Sequence, residues 1–294
     1  MAAQTKQGFI TRQAWTEEEL AEAETLIDTC NAYEDLHIKL APALLRSRPG
    51  NASDDFLYYE DGKLVGLLAL DDFPKEDREM TGLVHPDYRR RGIFTELLAM
   101  AKAEGTTRGM KRLVIVCERF SRSGMAFVEA VGAQYESSEH LMFLQDFQAR
   151  NAYQPLLTLT QAAFDDIDAI AHIIAASFHE NEEQTRQHLP GDMQNPHVTY
   201  YIARLGDEPV GCLNVYFGDG ASAGIYAFGI MPEYRRRGFG RQVLERIITV
   251  IQAEFGHQRR IQLEVETNNS SAIALYRSCG FREVTTYGYY NLDL

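Results

Sequence analysis

One stretch of the chain occurs twice, and this duplication limits the folds that are open to it. The segment VHPDYRRRGIFTELL (84–98) aligns with IMPEYRRRGFGRQVL (230–244) at an offset of 146 residues in a chain of 294. A repeat of that length indicates two copies of a whole domain, because the repeats of solenoid proteins are only about 20 to 50 residues long. We therefore expect two domains, 1–150 and 151–294, which meet near the polar, proline-containing stretch 148–155.

Each copy carries a similar order of predicted elements. A polar turn followed by an apolar run predicts a hairpin at 61–70 and again at 206–215. Apolar residues at helical spacing predict helices over 164–178 and 241–255. Because helices and strands alternate in this way, the sequence predicts an α/β fold with a mixed sheet in each half.

The repeated arginines stand where a strand gives way to a helix, which suggests an anion site. The first turn of a helix has unpaired N–H groups and the positive end of the helix dipole, so arginines there are unfavourable unless an anion is bound. Gly238 and Gly240 remove side chains that would keep a phosphate away, and the arginines add charged donors. This combination fits a pyrophosphate. A solvated helix start is the alternative, and the sequence contains neither a P-loop nor a complete dinucleotide fingerprint.

Composition narrows the classes of partner. The formal net charge of −13 argues against general nucleic-acid binding, which needs a broad basic face. The four cysteines are scattered without the spacing of a zinc site, so we expect no metal. No stretch has the pattern of a signal peptide or a membrane span, which predicts a cytoplasmic protein that does not bind membranes. The sequence leaves the oligomeric state open.

With these motifs in place, the second half resembles the GNAT superfamily of acyl-CoA-dependent N-acyltransferases. The family signature is Arg or Gln, two residues, Gly, one residue, and Gly or Ala, and Arg235, Gly238 and Gly240 satisfy it. The segment NNSSAIALYRSCGF (268–281) is similar to that of the ribosomal-protein alanine acetyltransferases of the superfamily. The resemblance implies two tandem domains, each a twisted, mostly antiparallel sheet flanked by helices. It also implies acetyl-CoA as the cofactor.

The resemblance assigns a set of cofactor-binding residues. In the second half they are Ile230, Arg235, Arg236, Arg237, Gly238, Phe239, Gly240, Arg241 and Asn269. An alternative role for Asn269 is that of a helix cap. The first half departs from the signature, since it reads Arg89, Gly92 and then Phe94 in place of the last small residue. Arg90 and Gly92 are the candidate ligands there.

One strand of the second half carries a candidate base. In RIQLEVE (260–266) the residues alternate, so Glu264 and Glu266 share the face opposite to the apolar side chains. A carboxylate can act as base toward an amine, and a tyrosine hydroxyl can act as acid toward a thiolate. The resemblance assigns these catalytic roles to Glu264 and Tyr276. An exposed strand residue and a core aromatic are the alternative interpretations.

The first half differs at the same two positions. Val116 and Val128 stand where the candidate base and acid would be, and a valine can neither take nor give a proton. The strand RLVIVCE (112–118) has lost the alternation and reads as buried on both faces, apart from Glu118 at its end. We therefore predict a catalytically degenerate first domain and an active second one, an asymmetry that other tandem members of the superfamily show.

These features predict an acetyl-CoA-dependent N-acetyltransferase that acetylates a primary amine by direct attack. Amides near Ile230 would polarise the thioester carbonyl. The acceptor would be a small-molecule amine or a peptide N-terminus, and the acidic stretches 71–77 and 178–184 would attract a cationic amine or merely serve solubility. Tyrosines within 285–294 would line an acceptor pocket or simply pack. A non-catalytic protein that binds or senses acyl-CoA, or acts as a scaffold, is the alternative function.

Overall fold

The computed structural model of the protein describes residues 6–71, 77–149, 157–218 and 222–294. Within them one order of elements, βααβββαβαβ, occurs twice. The first series is β1 (Gly8–Arg12), α1 (Glu17–Glu34), α2 (Pro42–Arg46), β2 (Asp55–Glu60), β3 (Lys63–Leu70), β4 (Asp77–Val84), α3 (Ile93–Thr107), β5 (Arg112–Glu118), α4 (Arg122–Ala130) and β6 (Gln134–Leu144). The second series is β7 (Thr158–Gln161), α5 (Ile167–Phe178), α6 (Glu182–Gln194), β8 (Val198–Leu205), β9 (Glu208–Phe217), β10 (Ser222–Ile230), α7 (Phe239–Phe255), β11 (Arg260–Glu266), α8 (Ser270–Ser278) and β12 (Phe281–Asp293). The predicted α/β class is therefore confirmed.

Each copy builds a mostly antiparallel sheet that contains one parallel pair. The strand order is β1-β2-β3-β4-β5-β12 in the first unit and β7-β8-β9-β10-β11-β6 in the second. Strands β4 and β5 run parallel, and so do β10 and β11. A parallel pair cannot be joined by a tight turn, so the chain crosses over through α3 in one unit and α7 in the other. Within the described residues, no helix is long and apolar enough to cross a membrane.

The division into units differs from the predicted boundary near residue 150. The first unit consists of the residues up to Glu139 together with Thr285–Leu294, and the second consists of His140–Val284. The prediction treated each domain as one continuous segment, whereas the end of β12 pairs with β5 and places Tyr290 in the first core. Residues 150–156, most of the expected linker, lie outside the described part of the chain.

Helices cover both faces of each sheet. In the first unit α1 and α2 pack on one face and α3 and α4 on the other. In the second unit α5 and α6 cover one face, which we call the α5–α6 face, and α7 and α8 cover the α7–α8 face. Ile225 and Leu263 lie in the core of the α7–α8 face, whereas Tyr200 and Cys212 lie in that of the α5–α6 face. These assignments fix which way the neighbouring side chains point, because successive residues of a strand alternate.

The two strands that follow the crossover helices differ in burial, as the sequence predicts. In β11 the apolar residues Ile261, Leu263 and Val265 are buried, and the residues between them are half-buried. Strand β5 is buried from Leu113 to Glu118. The alternating pattern therefore leaves one face of β11 for polar side chains, whereas β5 is enclosed on both sides.

Candidate functional site

The loop between β10 and α7 presents a row of unpaired backbone N–H groups. A short 3₁₀ turn and the extended Arg235 lead to Arg236 and Gly238, both in the left-handed region with φ of +59° and +82°. The first helical hydrogen bond runs from Gln242 N to Gly238 O over 3.2 Å. Within the described residues, none of the N–H groups from Arg236 to Arg241 donates to a protein acceptor. Converging N–H groups of this kind form a concave site for an anion.

The three consecutive arginines differ in their contacts, and two of them are held by the protein. Arg235 Nε donates to Ile230 O over 2.8 Å and ties the loop to the end of β10. The Arg237 guanidinium stacks on the rings of Tyr234 and Phe239, with distances of 5.4 and 5.0 Å to the ring centroids. Arg236 is exposed and makes no side-chain hydrogen bond or ion pair to any described residue. It is therefore the arginine of the three whose side chain is not held by a protein contact and can turn toward a ligand.

The side chain of Arg241 points away from the loop. Its guanidinium donates to Ser278 O over 3.2 Å and to the Ser278 hydroxyl, and it pairs with Glu245 over 3.4 Å. These contacts hold the start of α7 against the end of α8. Cofactor binding by Arg241 stays a prediction, and with the side chain held at α8 the group that this residue would offer to an anion is its backbone N–H.

Gly238 and Gly240 have different structural roles. A Cβ added to Gly238 would meet no atom within 4 Å, so the residue is glycine because of its positive φ. A Cβ on Gly240 would lie 3.2 Å from Leu275 Cδ2 in α8. The missing side chain of Gly240 thus allows α7 to pack closely on α8, and this residue too offers an anion only its N–H.

The first unit repeats the loop in nearly the same conformation. Arg90 and Gly92 have φ of +63° and +79°, and α3 begins at Ile93 just as α7 begins at Phe239. Arg89 Nε donates to Val84 O over 3.1 Å, which matches the contact between Arg235 and Ile230. The N–H groups from Arg90 to Thr95 likewise have no acceptor within the described residues.

The Phe94 side chain does not close the first loop to an anion. A Cβ added to Gly82 on β4 would lie 2.5 Å from Phe94 Cε2, so the ring covers that glycine, and it also packs edge-on against Phe127 at 4.6 Å. In the second unit the aromatic ring comes from the strand instead, because Phe228 Cζ lies 3.9 Å from the Cβ position of Gly240. Phe94 therefore departs from the signature because the large and the small residue have exchanged places between strand and helix.

Asn269 caps a helix in this structure. Its Oδ1 accepts hydrogen bonds from Ala272 N and from the Ser271 hydroxyl, both over 3.1 Å, at the start of α8. The capping role that the sequence left as an alternative is thus present. A contact between Asn269 and a cofactor stays a prediction.

A gap opens between β10 and β11 beside the second loop. The last paired residues are Ile225 and Leu263, which both face α7 and α8. The next residues along the two strands, Tyr226 and Glu264, therefore project from the α5–α6 face. Because Met231 N donates to Val210 O in β9 over 3.0 Å, the N–H of the preceding Ile230 points the other way, into the gap.

Tyr276 approaches this gap from the opposite face of the sheet. It lies in the α7–α8 core with 7% of its surface exposed, and its ring packs near those of Phe228 and Phe281. Burial raises the pKa of the Tyr276 hydroxyl above its usual range, so the group stays protonated at neutral pH. The structure thus places Glu264 and Tyr276 on opposite faces of one sheet.

The first unit contains a cavity of about 740 Å³ at its own strand gap. Strands β4 and β5 pair as far as Met80 and Ile115 and then separate. Val116 and Val128 line the cavity, which also reaches Arg90 and Gly92 in the first loop. Apolar side chains therefore line this cavity at the positions of the missing base and acid, and the residues predicted to catalyse the reaction lie in the other unit.

Two carboxylates near this cavity were not singled out as site residues by the sequence analysis. Glu118 Oε2 accepts the N–H of His37 over 2.6 Å, and its Oε1 accepts the hydroxyl of Thr285 over 2.5 Å. Glu34 pairs with Arg89 over 2.5 Å. Both carboxylates are held by residues distant in sequence, so no local pattern could have revealed their partners.

Burial and hydrogen bonding act in opposite directions on Glu34. Burial favours its neutral form, but hydrogen bonds from Arg89, Ser123 and Ser121 outweigh this effect and hold the pKa of the carboxyl below its usual value. No group of three or more His, Cys, Asp or Glu side chains within the described residues is arranged to hold a metal ion.

Comparison with known proteins agrees with this architecture. Residues 13–133 and 167–281 each match the acetyltransferase (GNAT) family. A mycothiol acetyltransferase from Kineococcus radiotolerans is 28% identical over 271 residues, which cover 83% of both chains. The [ribosomal protein bS18]-alanine N-acetyltransferase of Escherichia coli is 38% identical over 63 residues, which cover 21% of this chain and 41% of that protein. A GCN5-related N-acetyltransferase from Sphaerobacter thermophilus has a similar fold, with a TM-score of 0.78 at 18% identity over 97% of this chain and 95% of that one. The chain therefore belongs to the GNAT family of acetyltransferases and carries the family's domain twice.

Proposed function

We propose that the protein is an acetyl-CoA-dependent N-acetyltransferase that acetylates a primary amine, and that its second unit carries out the transfer. The observation that carries this proposal is the strand gap beside the second loop, with Glu264 on one face of the sheet and Tyr276 on the other. A direct transfer needs a base on the side from which the amine arrives and an acid on the side where sulfur leaves. The first unit has only Val116 and Val128 at these positions.

The unpaired N–H groups of the second loop fit the diphosphate of coenzyme A. Arg236 adds a permanent positive charge at the same place, and Gly238 leaves the approach open. A non-glycine residue at positive φ, such as Arg236, is strained, and a bound anion offsets that cost. A helix that begins without a capping side chain, as α7 does, also gains from an anion at its N-terminus.

The proposed mechanism assigns each proton to a residue of the second unit. Bound acetyl-CoA would supply the acetyl thioester, whose C–S bond breaks as the new N–C bond forms. The Ile230 N–H, which points into the gap, stabilises negative charge on the carbonyl oxygen. Glu264 takes the proton that the amine loses, directly or through water, and Tyr276 gives its hydroxyl proton to the departing sulfur.

The mechanism is tested with conservative variants of the full chain. We expect Glu264→Gln to lower kcat by about 100-fold or more, the usual contribution of a general base, and Tyr276→Phe to lower it as well. Glu266→Gln, which changes a carboxylate two residues further along the same strand, is the matched control and should keep the wild-type rate. Thiol release from acetyl-CoA with a panel of amines gives the rate, and calorimetry gives the affinity for coenzyme A. Wild-type turnover in both site variants would refute the mechanism.

The first unit supports a second candidate activity, the binding of acyl-CoA without transfer. The observation that favours it is the cavity of about 740 Å³ next to a loop with the conformation of the second one. Calorimetry on the full chain should then find two molecules of coenzyme A per chain. Gly92→Val and Gly238→Val, which each disturb one left-handed glycine, should each remove one of them. A single site that only Gly238→Val removes would restrict binding to the second unit.

A further inference from the structure

A second cavity, of about 320 Å³, lies within the second unit. It is lined by one carboxylate, three aromatic rings, an amide and one aliphatic side chain, and we call it the tyrosine pocket. Its residues are Asp192, Val198, Tyr200, Asn214, Tyr216 and Tyr226. Neither the second loop, between β10 and α7, nor Tyr276 contributes to it.

The tyrosine pocket lies on the same face of the sheet as Glu264. Tyr200 is opposite Asn214, and Asn214 is opposite Tyr226, so the three side chains form a row across β8, β9 and β10. Tyr200 packs on the α5–α6 face, which places the whole row there. Glu264 follows on the next strand, β11, level with Tyr226 and on that face.

The carboxylate of Asp192 faces the pocket without a cation of its own. Tyr200 receives a hydrogen bond from Asn214 and donates its hydroxyl to Asp192 Oδ2 over 3.4 Å, which orients the carboxylate. Within the described residues, no arginine or lysine forms an ion pair with Asp192. Asp192 is exposed as a residue, but partial burial of its carboxyl raises the pKa above the usual value, and the hydrogen bond from Tyr200 and the charge of His188 offset only part of this effect.

The tyrosine rings complete an environment suited to a cation. A Cβ on Gly224 would lie 2.4 Å from Tyr226 Cε2, so the Tyr226 ring covers Gly224, which is the register partner of Tyr216. Tyr226 remains 39% exposed. Aromatic faces next to a carboxylate attract ammonium and guanidinium groups through the ring quadrupole and the opposite charge.

The corresponding place in the first unit already holds a cation. Asp55 stands opposite Ala69, which is opposite Thr81, in the register that Tyr200, Asn214 and Tyr226 have in the second unit. There the Arg48 guanidinium donates to both Asp55 oxygens, over 2.5 and 2.9 Å. The first unit thus fills this position with its own side chain, whereas the second leaves a cavity with a carboxylate in its wall.

We propose that the tyrosine pocket binds a second cationic group of the acceptor, so that the amine substrate is a diamine or a longer polyamine. This inference rests on the proposed function, because Glu264 marks where the reacting amine lies. Neighbouring strands are about 4.8 Å apart, and the pocket is centred two strands from β11, so the two nitrogens would be roughly 10 Å apart. An acceptor with a single amine would not form this second ion pair.

The test compares unbranched diaminoalkanes of graded length with the monoamines of the same carbon number, using the full chain and acetyl-CoA. We expect kcat/KM to be highest for the diamine whose nitrogens are roughly 10 Å apart, about tenfold or more above its monoamine. Asp192→Asn should remove this preference, mainly through KM, and Asp192→Glu should restore part of it. Asp207→Asn, in the exposed turn between β8 and β9, is the matched control and should keep the preference.

Direct binding separates this inference from the proposed function. Calorimetry of the diamine whose nitrogens are roughly 10 Å apart, with wild-type protein and with Asp192→Asn, needs no turnover. If no amine is acetylated, the proposed function fails, while loss of diamine binding in Asp192→Asn still supports the pocket. If amines are acetylated but diamines and monoamines react equally, or if Asp192→Asn keeps both the preference and the binding, the pocket assignment is overturned.

Discussion

At the scale of single residues, three adjacent arginines differ in what they are able to bind. Arg235 donates to a backbone carbonyl and Arg237 lies over two aromatic rings, so Arg236 is the one of the three whose side chain is not already held by another described residue. In the first unit Arg89 and Arg91 repeat these contacts and also pair with carboxylates, those of Glu34 and Glu60. Arg90 is left exposed in the same way as Arg236. A charged run thus divides into two structural arginines and one that is available to an anion.

Removal of the Arg236 charge should weaken coenzyme A binding. We expect Arg236→Ala to raise the dissociation constant about tenfold, which is the loss of one or two charge-assisted hydrogen bonds. Arg246→Ala removes an exposed arginine from the outer side of α7 and serves as the control, with the affinity unchanged. Calorimetry with coenzyme A measures both. An unchanged affinity in Arg236→Ala would contradict the assignment of the second loop.

The Glu34 carboxylate should make stability depend on pH in the acid range. Its pKa in the folded protein is below the ordinary value of 4.5, so its stabilising effect is complete above that pH and is lost as the pH falls through the folded pKa. We expect Glu34→Gln to cost about 1 to 3 kcal/mol at neutral pH, because a hydrogen-bonded charge pair is broken.

That difference between Glu34→Gln and wild type should shrink as the pH is lowered below about 4.5. Urea unfolding at a series of pH values, followed by tryptophan fluorescence, measures it. Glu24→Gln changes an exposed glutamate on the same helix and should follow wild type throughout. A stability difference that stays constant down to acid pH would show that ionisation of Glu34 is not the cause.

At the scale of elements, an aromatic ring fills the same position between sheet and helix in both units. The ring comes from the helix in the first unit and from the strand in the second. In the first unit α3 supplies Phe94 and β4 supplies Gly82, whereas in the second β10 supplies Phe228 and α7 supplies Gly240. Volume is kept although the residue types are exchanged, as close packing of an interior requires. The loop before each helix is therefore free to keep one conformation with different residues beneath it.

This exchange predicts strong coupling between positions 82 and 94. Phe94→Ala should cost about 2 to 3 kcal/mol, at or below the lower limit for a fully buried phenylalanine, because the ring is only half-buried. Gly82→Phe alone should also destabilise, since its Cβ would lie 2.5 Å from the Phe94 ring. The double variant, which copies the arrangement of the second unit, should recover at least about 1 kcal/mol of the summed losses. Urea unfolding of all four proteins gives the coupling, and simple additivity would contradict it.

At the scale of the whole molecule, sequence halves and structural units are not the same. The last residues of the chain, Thr285–Leu294, belong to the first unit, where Tyr287 OH donates to His37 O over 2.6 Å. Tyr290 and Leu292 lie in the same core as Leu97 and Leu113. The final tyrosines therefore belong to the unit with the larger cavity, and Tyr287 lines that cavity.

A substitution near the end of the chain should accordingly destabilise the first unit. Trp15 is the single tryptophan of the chain and lies in that unit, where its Nε1 donates to Asp55 over 2.6 Å, so its fluorescence reports on the unit's unfolding. We expect Tyr290→Ala to lower the urea midpoint of the Trp15 transition, at a cost of about 3 kcal/mol for the lost aromatic ring. Two domains divided at residue 150 would leave that midpoint unchanged, and such a result would contradict the division found here.

The sequence by itself determined whatever depends on neighbouring residues. The duplication, the α/β order, the strand-to-helix loop with Gly238 and the alternation around Glu264 follow from local spacing, because backbone conformation and side-chain direction are set within a few residues. The same spacing identified the family signature at Arg235, Gly238 and Gly240.

Tertiary structure alone decided which groups meet. It directed Arg241 toward α8, placed the end of β12 beside β5, put the larger cavity in the unit with the valines, and gathered the tyrosine pocket from β8, β9, β10 and α6. These contacts join residues far apart in the chain, and they depend on which strands pair and on how side chains share a fixed volume. The spacing of residues along the chain contains no information about which strands pair or about how side chains pack.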